Sequence, residues 1–212
     1  MKFDLNIPIN SYIFGFLQSD GHLASHKKSG LKKGKLNIEL SFKDKDILLL
    51  IQKHACVETS FSSRTRDTNF KENYKSCKLS FYSTEFREAL HKLGMPIGKK
   101  SAVIAPPKSE YSEIDYWRGI IDGDGSLGFT KGGWPFISLN TSSDKLAIAY
   151  KNFILKITGR INNSNRNKRD NTYNIVETRE LSQLICKKLY YNGCIGMKRK
   201  DKAANKISKW KR

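Results

Sequence analysis

The sequence has few of the residues that mark secreted scaffolds or membrane proteins. Its 212 residues include only four cysteines and five prolines, and no two cysteines form a Cys-x-x-Cys pair. Such sparse cysteines are typical of reduced thiols and not of a disulfide framework. No apolar run approaches the roughly 20 residues that a membrane span requires, and the residues after Met1 lack a signal-peptide core. These absences predict a soluble intracellular protein.

Acidic residues are also scarce relative to basic ones. The chain has 39 Lys and Arg against 20 Asp and Glu, which gives a formal net charge of +19. The excess is spread along the chain, because residues 1–100 hold 18 basic and 10 acidic side chains and residues 101–212 hold 21 and 10. A basic surface of this kind predicts a polyanionic partner, most simply a nucleic acid.

One nine-residue pattern occurs twice, 104 positions apart. The two copies are IFGFLQSDG at residues 13–21 and WRGIIDGDG at residues 117–125. Each copy has a glycine at its third position and ends in Asp-Gly, with the acids at Asp20 and Asp124. A repeated pattern of this length indicates that one structural unit was duplicated, with one carboxylate at the same point in each copy.

The segments that follow the two copies also have the same order. Alternating strands are predicted at 35–43, 77–81, 136–141 and 173–177, and amphipathic helices lie between and after them. Each unit therefore has the order αββαββα, in an α+β chain with a pseudo-twofold duplication. We assign the first repeat to residues 1–104, the linker to 105–113 and the second repeat to 114–212. Two unrelated α+β domains are the alternative.

The repeated segments have the properties of helices that pair closely. Gly15 and Ser19 lie one helical turn apart, as do Gly119 and Gly123, so the two helices can approach with little side chain between them. If the helices run parallel, Asp20 and Asp124 meet at their C-terminal ends, where helix dipoles and like charge are unfavourable. Bound Mg²⁺ would offset both penalties, and paired metals favour phosphodiester hydrolysis. The alternative is that each Asp only caps a turn.

At these residues the chain resembles the LAGLIDADG homing endonucleases, in the type that has two motifs on one chain. The second copy, Gly119 to Gly125, is the stronger match, and the first departs from the pattern at Phe16 and Gln18. The resemblance implies two antiparallel four-stranded sheets that form a DNA-binding saddle. It implies double-strand cleavage of a long, rare DNA site by a monomer. Two or three Mg²⁺ ions would lie between the motif acids; Mn²⁺ is expected to substitute, and Ca²⁺ to bind without turnover.

The resemblance also implies roles for individual residues. Asp20 and Asp124 would bind metal together with the backbone of Ser19 and Gly123. Lys100 and Lys200 match a basic position of the family's active site, either in catalysis or only in positioning phosphate. Lys43 and Ser142 match a polar position at the end of the first long strand of each half, and both are candidate DNA-binding residues.

The exposed faces of the strands are the expected DNA interface. Strand residues would contact base edges, and the hairpin tips would bind phosphates. The candidate base-reading residues are Lys35, Asn37, Glu39, Ser41, Lys78, Ser80, Tyr82, Ser138, Asn140, Asn174 and Arg179. The candidate phosphate-binding residues are Arg64, Arg66, Arg166, Lys168 and Arg169. His22 and His26 are spaced four apart, but no cysteine or acidic cluster completes a zinc site beside them.

The main alternative is a non-cleaving RNA- or DNA-binding maturase on the same scaffold, with intron RNA as a further partner. A DNA-binding regulator would be expected to add a helix-turn-helix domain, for which the chain leaves no room. The splicing blocks of an intein are missing, which favours an intron-encoded or free-standing enzyme. We expect it in the cytoplasm of a bacterial, archaeal or phage host, or inside an organelle.

Overall fold

The computed structural model describes residues 3–69 and 71–211. Residues 1, 2, 70 and 212 lie outside the described residues, and with them the start of the first predicted repeat and the end of the second. None of the described helices is long and apolar enough to cross a membrane.

The first half alternates helices with pairs of strands. Its elements are α1 (Pro8–Asp20), β1 (Gly21–His26), β2 (Gly30–Ser41), a 3₁₀ turn (Phe42–Asp44), α2 (Lys45–His54), β3 (Thr59–Thr68), β4 (Lys71–Phe81) and α3 (Thr84–Lys92). Pro8 is the first helical residue of α1, where its fixed φ suits the helix and no N–H is needed. The helix α3 begins with a Ser83 hydroxyl that accepts from the Phe86 N–H at 3.1 Å.

The second half repeats this order of helices and strands and ends with one further helix. Its elements are α4 (Glu113–Asp124), β5 (Gly125–Phe129), β6 (Pro135–Thr141), α5 (Asp144–Thr158), β7 (Arg166–Asn167), β8 (Thr172–Thr178), α6 (Arg179–Leu189) and α7 (Lys198–Ser208). Ser143 caps α5 through the Leu146 N–H, and Gly159 ends α5 in the left-handed conformation with φ +68°. Glycine is favoured there because a side chain is strained at that φ.

Each half contains one antiparallel sheet of four strands. The strand orders are β1-β2-β4-β3 and β5-β6-β8-β7, so the two sheets have equivalent topologies. In the first sheet Glu39 lies opposite Lys78, and in the second Asn140 lies opposite Asn174. The predicted α+β class with two antiparallel four-stranded sheets is confirmed.

The buried core is continuous through both halves. It includes Phe14, Leu17, Trp117 and Ile121 on α1 and α4, together with apolar residues from both sheets. Leu36 and Ile38 point into it from β2, which leaves the intervening residues of that strand on the other face. The alternation predicted for residues 35–43 corresponds to a sheet with one buried face as far as Ser41, and residues 42 and 43 belong to the 3₁₀ turn instead.

Ion pairs and hydrogen bonds join each half to the other beyond the central helices. Lys198, at the start of α7, contacts Asp46 of the first half at 2.6 Å, and Arg199 contacts Asp44 at 3.0 Å. In the reverse direction the Ser143 hydroxyl of the second half donates to the Ile104 carbonyl of the first. The segment that ends each repeat thus packs on the opposite half.

Candidate active site and nucleic-acid interface

The site is built on α1 and α4, which run parallel and in direct backbone contact. A β-carbon at Gly15 would overlap the carbonyl oxygen of Tyr116, and one at Gly119 would overlap that of Tyr12. Only glycine permits this approach. Further along, the Ser19 hydroxyl donates to the carbonyls of Gly15 and Ile120 at 3.2 and 3.3 Å. The small residues predicted for the helix pair lie in this contact.

The parallel packing brings the two motif acids to the same end of the helix pair. Asp20 and Asp124 are the last residues of α1 and α4. A β-carbon at Gly123 would meet the Ser19 side chain and lie 3.0 Å from Oδ2 of Asp20. Within the described part of the chain, neither carboxylate has a hydrogen-bond or ion-pair partner. Both acids are therefore available to an external ligand.

The surroundings oppose ionisation of both acids. Burial raises the pKa of Asp20 to about 6, and the charge of Asp124 adds to the shift. Desolvation also raises the pKa of Asp124, although Asp124 as a whole residue is exposed to solvent. Nearby Lys100 and Lys200 counteract the shift in each case. Additional positive charge would favour the doubly ionised pair.

Each half contributes one lysine ammonium to the end of its own motif helix. Nζ of Lys100 donates to the carbonyls of Ser19 and Gly21, and Nζ of Lys200 donates to those of Ile121, Asp122 and Gly125. Burial lowers the pKa of both lysines to about 8. Because the carbonyl end of a helix is partly negative, these ammoniums stabilise the ends at which the acids lie.

The donor set fits a hard divalent cation. Two carboxylates and adjacent backbone carbonyls are oxygen ligands of the kind that Mg²⁺ binds, with its remaining positions left to water and phosphate. No group of three or more His, Cys, Asp or Glu side chains within residues 3–69 and 71–211 could hold a metal, so water or phosphate oxygens would have to complete the coordination shell. The backbone carbonyls predicted to bind metal are those of Ser19 and Gly123. The Ser19 carbonyl already accepts a hydrogen bond from Lys100.

The polar residues predicted at the strand ends lie in different places. Ser142 lines a cleft of about 380 Å³ together with Ser19, Lys100, Asp124 and Asn140. The structure therefore brings Ser142 to the same cleft as the motif acid Asp124. Lys43 lies in the 3₁₀ turn and lines a separate cleft, beside the ion pairs that α7 forms with the first half.

Most of the candidate base-reading residues do share the exposed faces of the sheets. Strand residues on these faces are Lys35, Asn37, Glu39, Ser41, Lys78 and Ser80 in the first half and Ser138, Asn140 and Asn174 in the second. Tyr82 follows β4 directly, is exposed, and its hydroxyl lies 2.9 Å from that of Ser60.

The prediction that Arg64 and Arg66 lie at a hairpin tip is wrong. Both are inside β3, opposite Ser76 and Tyr74 of β4, and so belong to the exposed face of the sheet. The stretch from residue 62 to 75 is mostly polar and lacks the alternation of a half-buried strand. The strand β3 lies at the edge of its sheet, where both faces can remain solvated.

The second hairpin differs from the prediction in another way. Arg166 lies in the short strand β7, and its guanidinium is bonded to Asn171, to the Ser142 carbonyl and to Asp144. Lys168 and Arg169 are at the tip and exposed, and Arg169 forms an ion pair with Asp170. Arg166 thus supports the hairpin, whereas Lys168 and Arg169 can reach a phosphate.

Arg179 is not a strand residue, which corrects its assignment to the sheet face. The sheet ends at Thr178, and Arg179 is the first residue of α6 with φ +55°. Its guanidinium lies 4.3 Å from the ring centroid of Trp134 in the β5–β6 turn. This cation–π contact accompanies a left-handed backbone that nothing in the sequence pattern indicates.

A buried tyrosine network beneath the acids was missed. The Tyr12 hydroxyl donates to Oδ2 of Asp122 at 2.7 Å, and the Tyr116 hydroxyl donates to Oε1 of Gln18 at 2.7 Å. The two tyrosines are 104 positions apart, as are Gln18 and Asp122. Extending the repeated pattern one residue toward the N-terminus would have revealed this pair.

Comparison with known proteins identifies the fold. No protein-family model matches the chain, and no curated protein matches it. The homing endonuclease I-WcaI bound to its DNA recognition sequence aligns with a TM-score of 0.66 and 14% identity, over 93% of this chain and 87% of that chain. I-SmaMI bound to an uncleaved DNA target with calcium ions gives 0.58 and 12%, over 91% and 87%.

A third similar structure is the N-terminal LAGLIDADG domain of DUF199/WhiA. It gives a TM-score of 0.53 and 13% identity, over 96% of this chain and 90% of that chain. The chain therefore has the fold of the LAGLIDADG homing endonucleases, with both motifs on one polypeptide. At such identities the likeness establishes the fold, and the activity has to be argued from the site.

Proposed function

We propose that this chain is a monomeric, site-specific homing endonuclease that makes Mg²⁺-dependent double-strand breaks in a long DNA target, encoded in an intron or as a free-standing gene. The proposal depends chiefly on the placement of Asp20 and Asp124. They end two helices in backbone contact and have no hydrogen-bond or ion-pair partner among the described residues. Two unpartnered carboxylates at one point would only destabilise a protein that merely binds nucleic acid.

The acids and the lysines of the site would have different roles in hydrolysis. Asp20 and Asp124 would hold Mg²⁺, which supplies a Lewis acid for activating water and for stabilising the leaving 3′ oxygen. Lys100 and Lys200 hold the ends of the motif helices through backbone carbonyls, so their first role is to position the acids. Their positive charge also lowers the cost of bringing a phosphate to this point.

Double-stranded DNA is the partner that suits the surface. Each sheet presents one exposed polar face, and exposed cations such as Lys168 lie beside those faces. A basic surface supplies the phosphate contacts that carry most nucleic-acid affinity. Because both halves are basic, both would contribute to binding.

The second candidate is a non-cleaving maturase that binds intron RNA. The likeness to the DUF199/WhiA domain supports this second candidate, because a shared scaffold does not by itself specify cleavage. A maturase would use the basic surface and have no use for Asp20 or Asp124.

The test is incubation of the purified chain with a randomised double-stranded DNA library in Mg²⁺, followed by sequencing of the cleaved ends. We expect one family of cut sites from the wild type and none from the Asp20→Asn/Asp124→Asn variant. Glu88→Gln, which removes an exposed carboxylate on α3, is the matched control and should cut like the wild type. Wild-type protein that binds intron RNA but leaves all DNA intact would favour the maturase.

A further inference from the structure

The two sheet faces differ sharply in charge. On the first sheet the exposed face of the strands carries several ionised side chains, and these are Lys35, Glu39, Arg64, Arg66 and Lys78. On the second sheet the exposed face of β5, β6 and β8 is neutral throughout. Its residues are Ser126, Gly128, Phe136, Ser138, Asn140, Thr172, Asn174, Val176 and Thr178.

On the first face, Glu39 fixes the orientation of an arginine. Its carboxylate accepts from Nη2 of Arg64 at 2.8 and 2.9 Å, from Nε of Arg64 at 3.2 Å, and from the Ser76 hydroxyl at 2.8 Å. Glu39 is thereby occupied, whereas Arg64 stays 56% exposed and its Nη1 has no hydrogen bond to another described residue. A held guanidinium with free donors is suited to the O6 and N7 acceptors of guanine.

Lys78 adds a second donor beside this pair. It lies opposite Glu39 on β4, is exposed, and makes no hydrogen bond to another described residue. Lysine also pairs with guanine acceptors in the major groove.

On the second face, two asparagines lie side by side. Asn140 of β6 and Asn174 of β8 are directly opposite in the sheet, and both are exposed. Neither amide has a hydrogen bond to another residue in the described ranges, so each can offer its donor and its acceptor together. That combination matches N6 and N7 of adenine.

An exposed apolar residue continues the same surface. Val176 lies on β8 two residues after Asn174 and is 37% exposed. Apolar side chains contact the thymine methyl group, which the major groove presents. Phosphate binding is a poor alternative use for this face, because its strands present no cation within the described residues.

We propose that the two sheets read two half-sites of the DNA target that differ in base composition. The first sheet reads a half-site that contains guanines, through Arg64 held by Glu39 and through Lys78. The second reads an A·T-rich half-site through Asn140, Asn174 and Val176. This inference rests on the proposed function, since it requires double-stranded DNA in contact with both sheets.

The test is selection of bound DNA from a randomised duplex library in Ca²⁺, which keeps the measurement separate from cleavage. We expect a consensus with two blocks, one enriched in guanine and the other in A·T pairs. Asn140→Ala/Asn174→Ala should lower base discrimination at least about fivefold at adjacent positions of the A·T block alone. Arg64→Lys should do the same at a guanine in the other block, so each variant serves as the control for the other.

Glu39→Gln distinguishes positioning from simple charge. It should weaken guanine discrimination at the position that Arg64→Lys affects, while total DNA affinity stays equal or rises because a negative charge is lost. If other contacts orient Arg64, Glu39→Gln would leave that discrimination unchanged, which would contradict the positioning role of Glu39.

The possible failures are distinct. A consensus with the same composition in both blocks, or asparagine variants that weaken binding equally to all sequences, would overturn this inference while DNA binding stands. Absence of any binding to duplex DNA would overturn the proposed function itself.

Discussion

The Tyr116 hydroxyl donates a hydrogen bond of 2.7 Å to Oε1 of Gln18 across the α1–α4 contact. This bond is the counterpart of the bond from Tyr12 to Asp122 in the other copy. Gln18 is one of the two residues, with Phe16, at which the first motif departs from the LAGLIDADG pattern. The amide therefore keeps the cross-helix acceptor that an acid would provide.

The amide is required by what surrounds it on its other side. Nε2 of Gln18 donates to the carbonyls of Gly94 and Ala105 at 3.2 and 3.1 Å. The equivalent Asp122 instead accepts from the Tyr190 hydroxyl and the Met197 N–H, both at 2.7 Å. One copy needs a donor at this position and the other an acceptor, so the sequence difference follows from local hydrogen bonding.

We expect Gln18→Glu to destabilise the fold by about 2 kcal/mol, because two partly buried carbonyls lose their donor and face a carboxylate. Tyr116→Phe removes only one hydrogen bond and should cost about 1 kcal/mol. Urea unfolding monitored by circular dichroism measures both. Equal stabilities of Gln18→Glu and wild type would show that the Gly94 and Ala105 contacts contribute little.

Gly119→Ala should destabilise the protein by about 3 kcal/mol, since the added methyl meets the Tyr12 carbonyl and rigid backbone has to move. Gly128→Ala is the matched control. Its β-carbon would lie 3.6 Å from the Phe136 ring, an ordinary contact, and its effect should stay within about 0.5 kcal/mol. Thermal unfolding compares the two variants. A similarly small shift of the melting temperature in both would mean that α1 and α4 are less tightly packed at Gly119 than in the structure.

Lys200→Met should lower stability more than Lys100→Met. Lys200 is only 4% exposed, and its ammonium satisfies three carbonyls at 2.5 to 2.8 Å. Leaving buried carbonyls unpaired costs about 2 kcal/mol, whereas water can reach the half-buried Lys100 site. Chemical denaturation of the two variants side by side checks this order, and the reverse order would contradict it.

Asp20→Asn should stabilise the metal-free protein at pH 7.5 by about 1–2 kcal/mol. The folded-state pKa of Asp20 is raised to about 6 by burial and by Asp124, so its ionisation disfavours the folded state above that pH. Solvent at this partly exposed position screens part of the effect. Near pH 4 the carboxyl is mostly protonated in the folded state and the advantage should shrink. Unfolding at both pH values without divalent ions measures it, and a stability loss at pH 7.5 would refute the account.

The regular features of the fold could be predicted because they depend on local patterns. Buried Leu36 and Ile38 alternate with polar residues, and the Asp-Gly repeat marked both motif helices. The edge strand β3 was missed because an edge strand in contact with water need not alternate in polarity. The left-handed Arg179 also depends on a contact with Trp134, which only the folded chain creates.

The candidate site divides in the same way. Asp20, Asp124, Lys100 and Lys200 could be selected from matched positions in the two copies. The bonds that restrain Arg166 and Glu39 could not, because their partners come from other strands and turns. Which cations stay free for DNA is therefore a property of tertiary structure.

The most direct measurement is single-turnover cleavage of a selected target in Mg²⁺, paired with binding to the same duplex in Ca²⁺. Asp20→Asn and Asp124→Asn should each abolish double-strand cleavage, while binding of the duplex survives, because under the proposed function the acids would bind the catalytic metal and the sheets would bind the DNA. Double-strand cleavage by either variant at the wild-type rate would contradict a catalytic centre shared by the two acids.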